Sequence, residues 1–200
     1  DVFGNGIGVY TTDGATPNVS GLTINMGTPP GPTYGVYIYD ISSGAAGTYS
    51  DNTVSSSMGS GVYLNTTGNP TFSDNRIVYN RSTGPEGSGF HIVNTGANTV
   101  IEHNLIRSNV GILGGGIYQA STNNPEIRNN LILDNKTVIT PTAAGGGIYI
   151  APNATATLLH NTISNNYTES TLGGGGLYVD DNATVTVTEN IVWGNYYACD

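Results

Sequence analysis

The chain has 200 residues, only 10% of them charged, and its five basic residues against fourteen acidic ones give a formal net charge of −9. This balance disfavours nucleic acids as partners, because phosphate contacts need Lys and Arg, and it disfavours anionic membranes and polyuronates for the same reason. No run of about 18 apolar residues occurs, so no membrane insertion is predicted.

A glycine followed by an apolar residue and a ring recurs seven times along the chain. The seven segments begin at Gly8, Gly35, Gly61, Gly89, Gly116, Gly147 and Gly176. They begin 26 to 31 residues apart, and a second apolar residue usually follows the ring. Apolar residues two positions apart predict a short strand with one face inward. A fixed period of such strands predicts a solenoid with one coil per repeat.

An asparagine follows each glycine segment from the second onward by 14 to 17 residues. The six asparagines are Asn52, Asn75, Asn104, Asn130, Asn161 and Asn190. Each has an apolar residue three positions before it and two positions after it, whereas the first repeat has Leu22 in the asparagine position. Five positions further on stand Ser57, Asn80, Asn109, Asn135, Asn166 and Asn195. We expect these asparagines to stack at turns, with their amides bonded to one another and to the backbone.

Each repeat thus has two markers, the glycine segment and the asparagine that follows it. A third strand lies between the two markers, clearest at residues 184–188 and visible again at 155–158. The sequence therefore predicts an all-β parallel β-helix of about seven coils, each of roughly 28 residues and three strands. No linker or shift in composition divides the chain, so residues 1–200 are expected to form a single domain. A β-sandwich would not explain two markers that recur together at the length of a coil.

With these motifs the chain resembles the right-handed parallel β-helix superfamily of pectate-lyase-like folds. The glycine segments and Phe72-Ser73-Asp74-Asn75 are similar to the GGA(I/L/V) and FxxN repeats of polymorphic outer-membrane proteins and adhesins. The resemblance covers nearly the whole chain. It implies the fold more strongly than an activity, because this scaffold carries lyases, hydrolases, phage tailspikes and adhesins.

The ring of each glycine segment lies between two inward positions and is therefore expected to point outward. The resulting stripe contains Tyr10, Tyr37, Tyr63, His91, Tyr118, Tyr149 and Tyr178. Stacked tyrosines stabilise neighbouring strands, so the stripe can be scaffolding. An exposed row of rings with hydroxyls is also typical of a surface that binds sugars or a protein partner. Both interpretations stay open from the sequence.

Residues for catalysis are sparse. The resemblance implies a base beside calcium-binding acids for a lyase, or clustered aspartates with a histidine and a basic pair for a hydrolase. Asp180 and Asp181 form the only adjacent acidic pair and are interpreted as a solvated turn, while Glu102 and Arg128 are expected to pair with each other. We expect no enzymatic activity and no cofactor.

A polar residue precedes each marker asparagine. The six are Asp51, Asp74, His103, Asn129, His160 and Glu189. Ligands one strand spacing apart make a poor closed site, so a surface hydrogen-bond ladder is predicted in preference to a metal site.

The two ends of the sequence share a pattern, since Val2, Phe3 and Asn5 match Val192, Trp193 and Asn195. The chain is therefore expected to begin and end within a coil, without a cap at either end. Two explanations remain: a segment of a longer protein, or a subunit that stacks head to tail into a filament. Cys199 is either a free thiol or the site of an intermolecular bond.

Neutral hydrogen-bonding residues dominate the polar surface and favour a secreted or cell-surface location. Asn65, Asn153 and Asn182 are the best candidates for glycosylation, because the other Asn-x-Ser/Thr sites include asparagines of the ladders. The predicted function is an extracellular structural or adhesive module that associates with itself or with the rest of a longer chain. The alternative is a carbohydrate-binding or carbohydrate-active β-helix protein.

Overall fold

The structure is a computed structural model that describes residues 6–27, 33–82, 84, 87–138, 142–170 and 173–197. Within these ranges the chain forms 25 β-strands and no helix. Each strand pairs in parallel with the equivalent strand of the next coil. The predicted parallel solenoid is thereby confirmed.

The strands follow one another in seven coils. Coil 1 contains β1 (Ile7–Thr11), β2 (Asn18–Ser20) and β3 (Thr23–Asn25). Coil 2 contains β4 (Tyr34–Asp40), β5 (Thr48–Ser50) and β6 (Thr53–Ser55). Coil 3 contains β7 (Val62–Thr66), β8 (Thr71–Ser73) and β9 (Arg76–Val78). Coil 4 contains β10 (Phe90–Asn94), β11 (Val100–Glu102), β12 (Leu105–Arg107) and β13 (Val110–Gly111).

The last three coils also have four strands each. Coil 5 contains β14 (Ile117–Gln119), β15 (Glu126–Arg128), β16 (Leu131–Leu133) and β17 (Lys136–Thr137). Coil 6 contains β18 (Ile148–Ile150), β19 (Thr155–Leu159), β20 (Thr162–Ser164) and β21 (Tyr167–Thr168). Coil 7 contains β22 (Leu177–Val179), β23 (Thr184–Thr188), β24 (Ile191–Trp193) and β25 (Tyr196–Tyr197).

Pairing between coils produces three sheets of seven strands and one sheet of four. Sheet 1 contains β1, β4, β7, β10, β14, β18 and β22. Sheet 2 contains β2, β5, β8, β11, β15, β19 and β23, and sheet 3 contains β3, β6, β9, β12, β16, β20 and β24. Sheet 4, which the sequence did not predict, contains the two-residue strands β13, β17, β21 and β25.

The apolar alternation of the repeats produces continuous inward columns. In sheet 1 the column includes Val36, Val62, Phe90, Ile117 and Ile148, all essentially buried. In sheet 2 the ring of Phe72 stacks on that of Tyr49 with a centroid distance of 4.7 Å. Burial of each such side chain stabilises the fold by about 1.5–3 kcal/mol. The interior is therefore a single apolar core shared by all coils.

The two sets of asparagines form two ladders, as predicted. In a typical rung, the backbone N and Nδ2 of Asn104 both donate to Oδ1 of Asn130, each at 3.0 Å. The same Nδ2 also donates to the carbonyl oxygen of Phe72 in the preceding coil. Asn109 repeats this pattern with Asn135 and Ile77 in the second ladder. Each interior amide thus binds the coils on both sides of it.

The glycine that begins each segment makes room for the second ladder. A Cβ added to Gly116 would lie 2.5 Å from the carbonyl oxygen of Gly147 and 3.1 Å from Nδ2 of Asn135. The coil spacing and the ladder therefore require a residue without a side chain there. This contact explains why the two markers recur together.

Candidate binding surface

The aromatic stripe lies on sheet 1, where the rings of successive coils face one another in register. The register pairs Tyr10 with Tyr37, Tyr37 with Tyr63, Tyr63 with His91 and so on through Tyr118, Tyr149 and Tyr178. Neighbouring ring centroids are 4.6 to 5.7 Å apart along the stripe. The predicted row of rings is present.

The prediction that the whole stripe is exposed is wrong. Tyr10 is 55% exposed, but His91 and Tyr149 are only 8% and 6% exposed. The segments that lead into sheet 1 pass close to the rings. A Cβ added to Gly87 would lie 2.6 Å from Cβ of Tyr118, and one added to Gly145 would lie 2.8 Å from Cβ of Tyr149. These segments shield part of the stripe from solvent.

The C-terminal half of the stripe is a stack whose ring faces cover one another. The interplanar angle is 5° between Tyr118 and Tyr149 and 1° between Tyr149 and Tyr178. The Tyr149 hydroxyl donates to Asp180, and burial followed by this hydrogen bond raises the pKa of Tyr149 above its ordinary value. Stacking on a sugar needs a free ring face. This half of the stripe therefore fits a supporting role.

The N-terminal half is a wider cluster of five tyrosines. Tyr34 and Tyr39 join Tyr10, Tyr37 and Tyr63, with Tyr34 in edge contact with Tyr37 at 4.9 Å and Tyr39 stacked on Tyr37 at 6.3 Å. Burial and the neighbouring tyrosines raise the pKa of Tyr37 to about 12. Tyr34 and Tyr39 are not among the residues predicted from the sequence. Strand alternation could have found Tyr39, which lies two residues after Tyr37 on the same face.

A cleft of about 210 Å³ opens beside the C-terminal half of the stripe. It is lined by Leu113, Thr142, Ala144, Tyr149, Tyr178 and Asp180, none of them basic. The interpretation of Asp180 and Asp181 as a solvated turn holds for Asp181, which is exposed. Asp180 differs, because it is half-buried and its carboxylate accepts hydrogen bonds from Tyr149 and from the backbone of Asp181.

The polar column before the first ladder adopts left-handed backbone conformations. All six residues, from Asp51 to Glu189, have φ values of 54° to 57°. His160 contacts Glu189 across coils, and the predicted pair of Glu102 and Arg128 is confirmed by an Oε2–Nε distance of 2.8 Å. Among the described residues, no three His, Cys, Asp or Glu side chains are grouped so as to hold a metal ion.

The candidate glycosylation sites differ in their surroundings. Asn153 and Asn182 lie exposed in turns, whereas Asn65 is half-buried within β7. Asn80, Asn135 and Asn166 are fully buried in the second ladder, which is where the sequence placed them.

The predicted assembly edge is only partly described. Val192 and Trp193 of the last coil are 52% and 71% exposed, and Asn195 ends the second ladder. Val2, Phe3, Asn5 and Cys199 lie outside the described residues. In the part of the chain that the structure covers, no helix is long and apolar enough to cross a bilayer.

A family model described as right handed beta helix region matches residues 35–200. No curated protein and no solved structure matches the chain. The family match gives the solenoid its right-handed sense and is consistent with the resemblance to pectate-lyase-like folds. Since the match covers most of the sequence, the chain belongs to the right-handed beta helix family.

Proposed function

We propose that the chain is a non-catalytic structural and adhesive module of an extracellular β-solenoid. The observation that carries this proposal is the pair of asparagine ladders, which run without a break from Asn52 to Asn190 and from Asn80 to Asn195. Every rung joins successive coils by neutral hydrogen bonds, which are buried except at the last rungs, where they are partly buried. Such bonds are insensitive to ionic strength, which suits a scaffold outside the cell.

The pairing of the charged side chains supports the same proposal. Arg107 pairs with Asp134 and Lys136 with Glu169, while Arg128 bridges two glutamates. These contacts lie on the outer surface of the coils, and all of them join neighbouring coils except the Arg128–Glu126 contact, which lies within β15. Pairs of this kind stabilise a scaffold only modestly, yet they occupy acids and bases that catalysis would use.

For the partner, the end face of the last coil shows what either of the two explanations left open by the sequence has to supply. In each interior rung the backbone N of the asparagine donates to an amide oxygen of the following coil. A coil that continues the solenoid past Asn190 and Asn195 would supply such oxygens if it carried two asparagines five residues apart. We propose as the partner a coil of matching pattern, supplied either by the rest of a longer chain or by a second copy stacked head to tail.

A direct test of the absence of catalysis is incubation of the purified protein with pectins, alginates and neutral glycans, with and without calcium. We expect no new reducing ends and no unsaturated products. Cleavage that disappears in Asp180→Asn but persists in the matched surface variant Asp181→Asn would refute the proposal and identify the cleft as an active site.

The second candidate function is binding of a carbohydrate, favoured by the exposed rings of Tyr10 and Tyr39 in the five-tyrosine cluster. Affinity electrophoresis in gels containing neutral glycans tests it. Retardation that is lost in the double variant Tyr10→Ala with Tyr39→Ala would support this function. Equal mobility with and without each glycan would exclude it for those glycans.

A further inference from the structure

A groove of about 370 Å³ lies at the corner between sheets 3 and 4, where the turns after β3, β6 and β9 meet. It is lined by Gly27, Ser56, Ser57, Met58, Tyr79 and Arg81. The volume lies within the range typical of sites for small molecules. None of these residues belongs to the aromatic stripe or to the cleft beside Asp180.

Tyr79 occupies a backbone position that disfavours an aromatic residue. Its φ is 58°, in the left-handed region, and its backbone N donates to the carbonyl oxygen of Arg107. The equivalent residues in the other coils with positive φ are Ser56, Ser108, Asp134, Asn165 and Gly194. All five are small or are residue types that tolerate this conformation, whereas a bulky residue there is a strained outlier.

The ring of Tyr79 is not held there by packing, because the side chain is 65% exposed. A strained residue that contributes little to the core indicates a role outside folding. Strain at an exposed aromatic residue is therefore the first observation that points to a ligand.

Arg81 provides the second observation. Three of the five basic residues, Arg107, Arg128 and Lys136, pair with acids. Arg81 is exposed, and no acidic side chain among the described residues pairs with it. Its backbone N donates to the carbonyl oxygen of Ser57, which fixes its main chain at the rim of the groove. In a chain of net charge −9, an unpaired guanidinium beside an apolar groove offers a local site for an anion.

We propose that this groove binds a small organic carboxylate that carries an apolar ring. The guanidinium of Arg81 pairs with the carboxylate, and the ring of the ligand packs between Tyr79 and Met58. The main chains of Tyr79 and Arg81 are fixed by bonds to coils on both sides, so the two side chains start from a rigid frame. This site is independent of the scaffold role proposed above.

The probes are 3-phenylpropionate, the neutral alcohol 3-phenylpropanol and acetate, titrated into the full chain and followed by NMR. We expect saturable binding of 3-phenylpropionate and weaker binding of the other two, because each lacks one half of the recognised group. Arg81→Gln and Tyr79→Asn should each weaken binding about tenfold. Tyr196→Ala, which removes an exposed tyrosine of the last coil, should leave it unchanged.

Thermal unfolding separates a binding role of Tyr79 from a structural one. Tyr79→Asn should keep or raise the melting temperature, because asparagine already occupies the equivalent position at Asn165 without difficulty. Loss of binding together with equal or higher stability would support the proposal. Absence of saturable binding, equal binding by all variants, or a fall in melting temperature with binding unchanged would overturn it.

Discussion

The second asparagine ladder ends at Ser57, and extension of the ladder by one rung should stabilise the protein. Ser57 donates its backbone N to Oδ1 of Asn80 at 3.1 Å, but its buried Oγ has no partner. In Ser57→Asn, the new Nδ2 should donate to Oδ1 of Asn80 and to the carbonyl oxygen of Ile24, as Asn80 does with Asn109 and Val54. Gly35 leaves the space that the amide needs.

The gain follows from the bonds formed. Two buried hydrogen bonds contribute about 1 kcal/mol each, and removal of an unpaired hydroxyl contributes further, while ordering of the longer side chain opposes them. We expect the free energy of unfolding to rise by about 2 kcal/mol. Urea unfolding followed by circular dichroism measures it, with an unchanged slope against denaturant as the sign that only stability has changed.

Asn109→Ser is the matched control, because it creates within the ladder the defect that Ser57 has at its end. This change removes the two bonds donated by Nδ2 of Asn109 and leaves the backbone N and Nδ2 of Asn80 without their acceptor. We expect Asn109→Ser to lower the free energy of unfolding by about 3 kcal/mol or more. If Ser57→Asn were neutral or destabilising while Asn109→Ser had this cost, the reasoning about rung geometry would be refuted.

Three further predictions concern the stripe and a loop. Burial lowers the pKa of His91 from 6.5 to about 4. The neutral ring therefore contributes fully to the free energy of unfolding above about pH 6.5, and at most about 3 kcal/mol of this contribution is lost as the pH falls towards 4. Urea midpoints should show this pH dependence, and an unchanged dependence in His91→Phe would contradict it. Hydrogen bonds from the backbone N of Ser43 and Gly14 hold the pKa of Asp40 below its ordinary value. Asp40→Asn should therefore lower the melting temperature at pH 7 more than at pH 3. An equal fall in melting temperature at both pH values would argue against this. Tyr149→Ala should lower the free energy of unfolding by about 3–5 kcal/mol because the ring is buried, whereas Tyr10→Ala should lower it little. Similar losses of stability in calorimetry would show that the two halves of the stripe do not differ.

The sequence predicted the features that repeat. Alternating apolar residues specify each short strand locally, and stacking then multiplies the same contact along the axis, so the inward columns and both ladders followed from spacing alone. The pairing of Glu102 with Arg128 followed from the same register. Handedness is not contained in the spacing, and it came instead from the family match.

The features that do not repeat were missed. Sheet 4 has strands of two residues, too short to show alternation. The burial of His91 and Tyr149 depends on the path of the segments leading into sheet 1, which differ in length from coil to coil. The strain at Tyr79 becomes visible only when its φ value is compared with those of equivalent residues.

The proposed scaffold role rests on ladders that remain closed in solution, and hydrogen exchange of asparagine side-chain amides measures this directly. Asn104 and Asn109 are interior rungs, whereas Asn165 is exposed at a corner next to the second ladder. We predict that the Nδ2 protons of Asn104 and Asn109 exchange as slowly as the backbone amides of β12, and that those of Asn165 exchange as fast as in a peptide. Fast exchange at Asn104 and Asn109 in the folded protein would contradict the account.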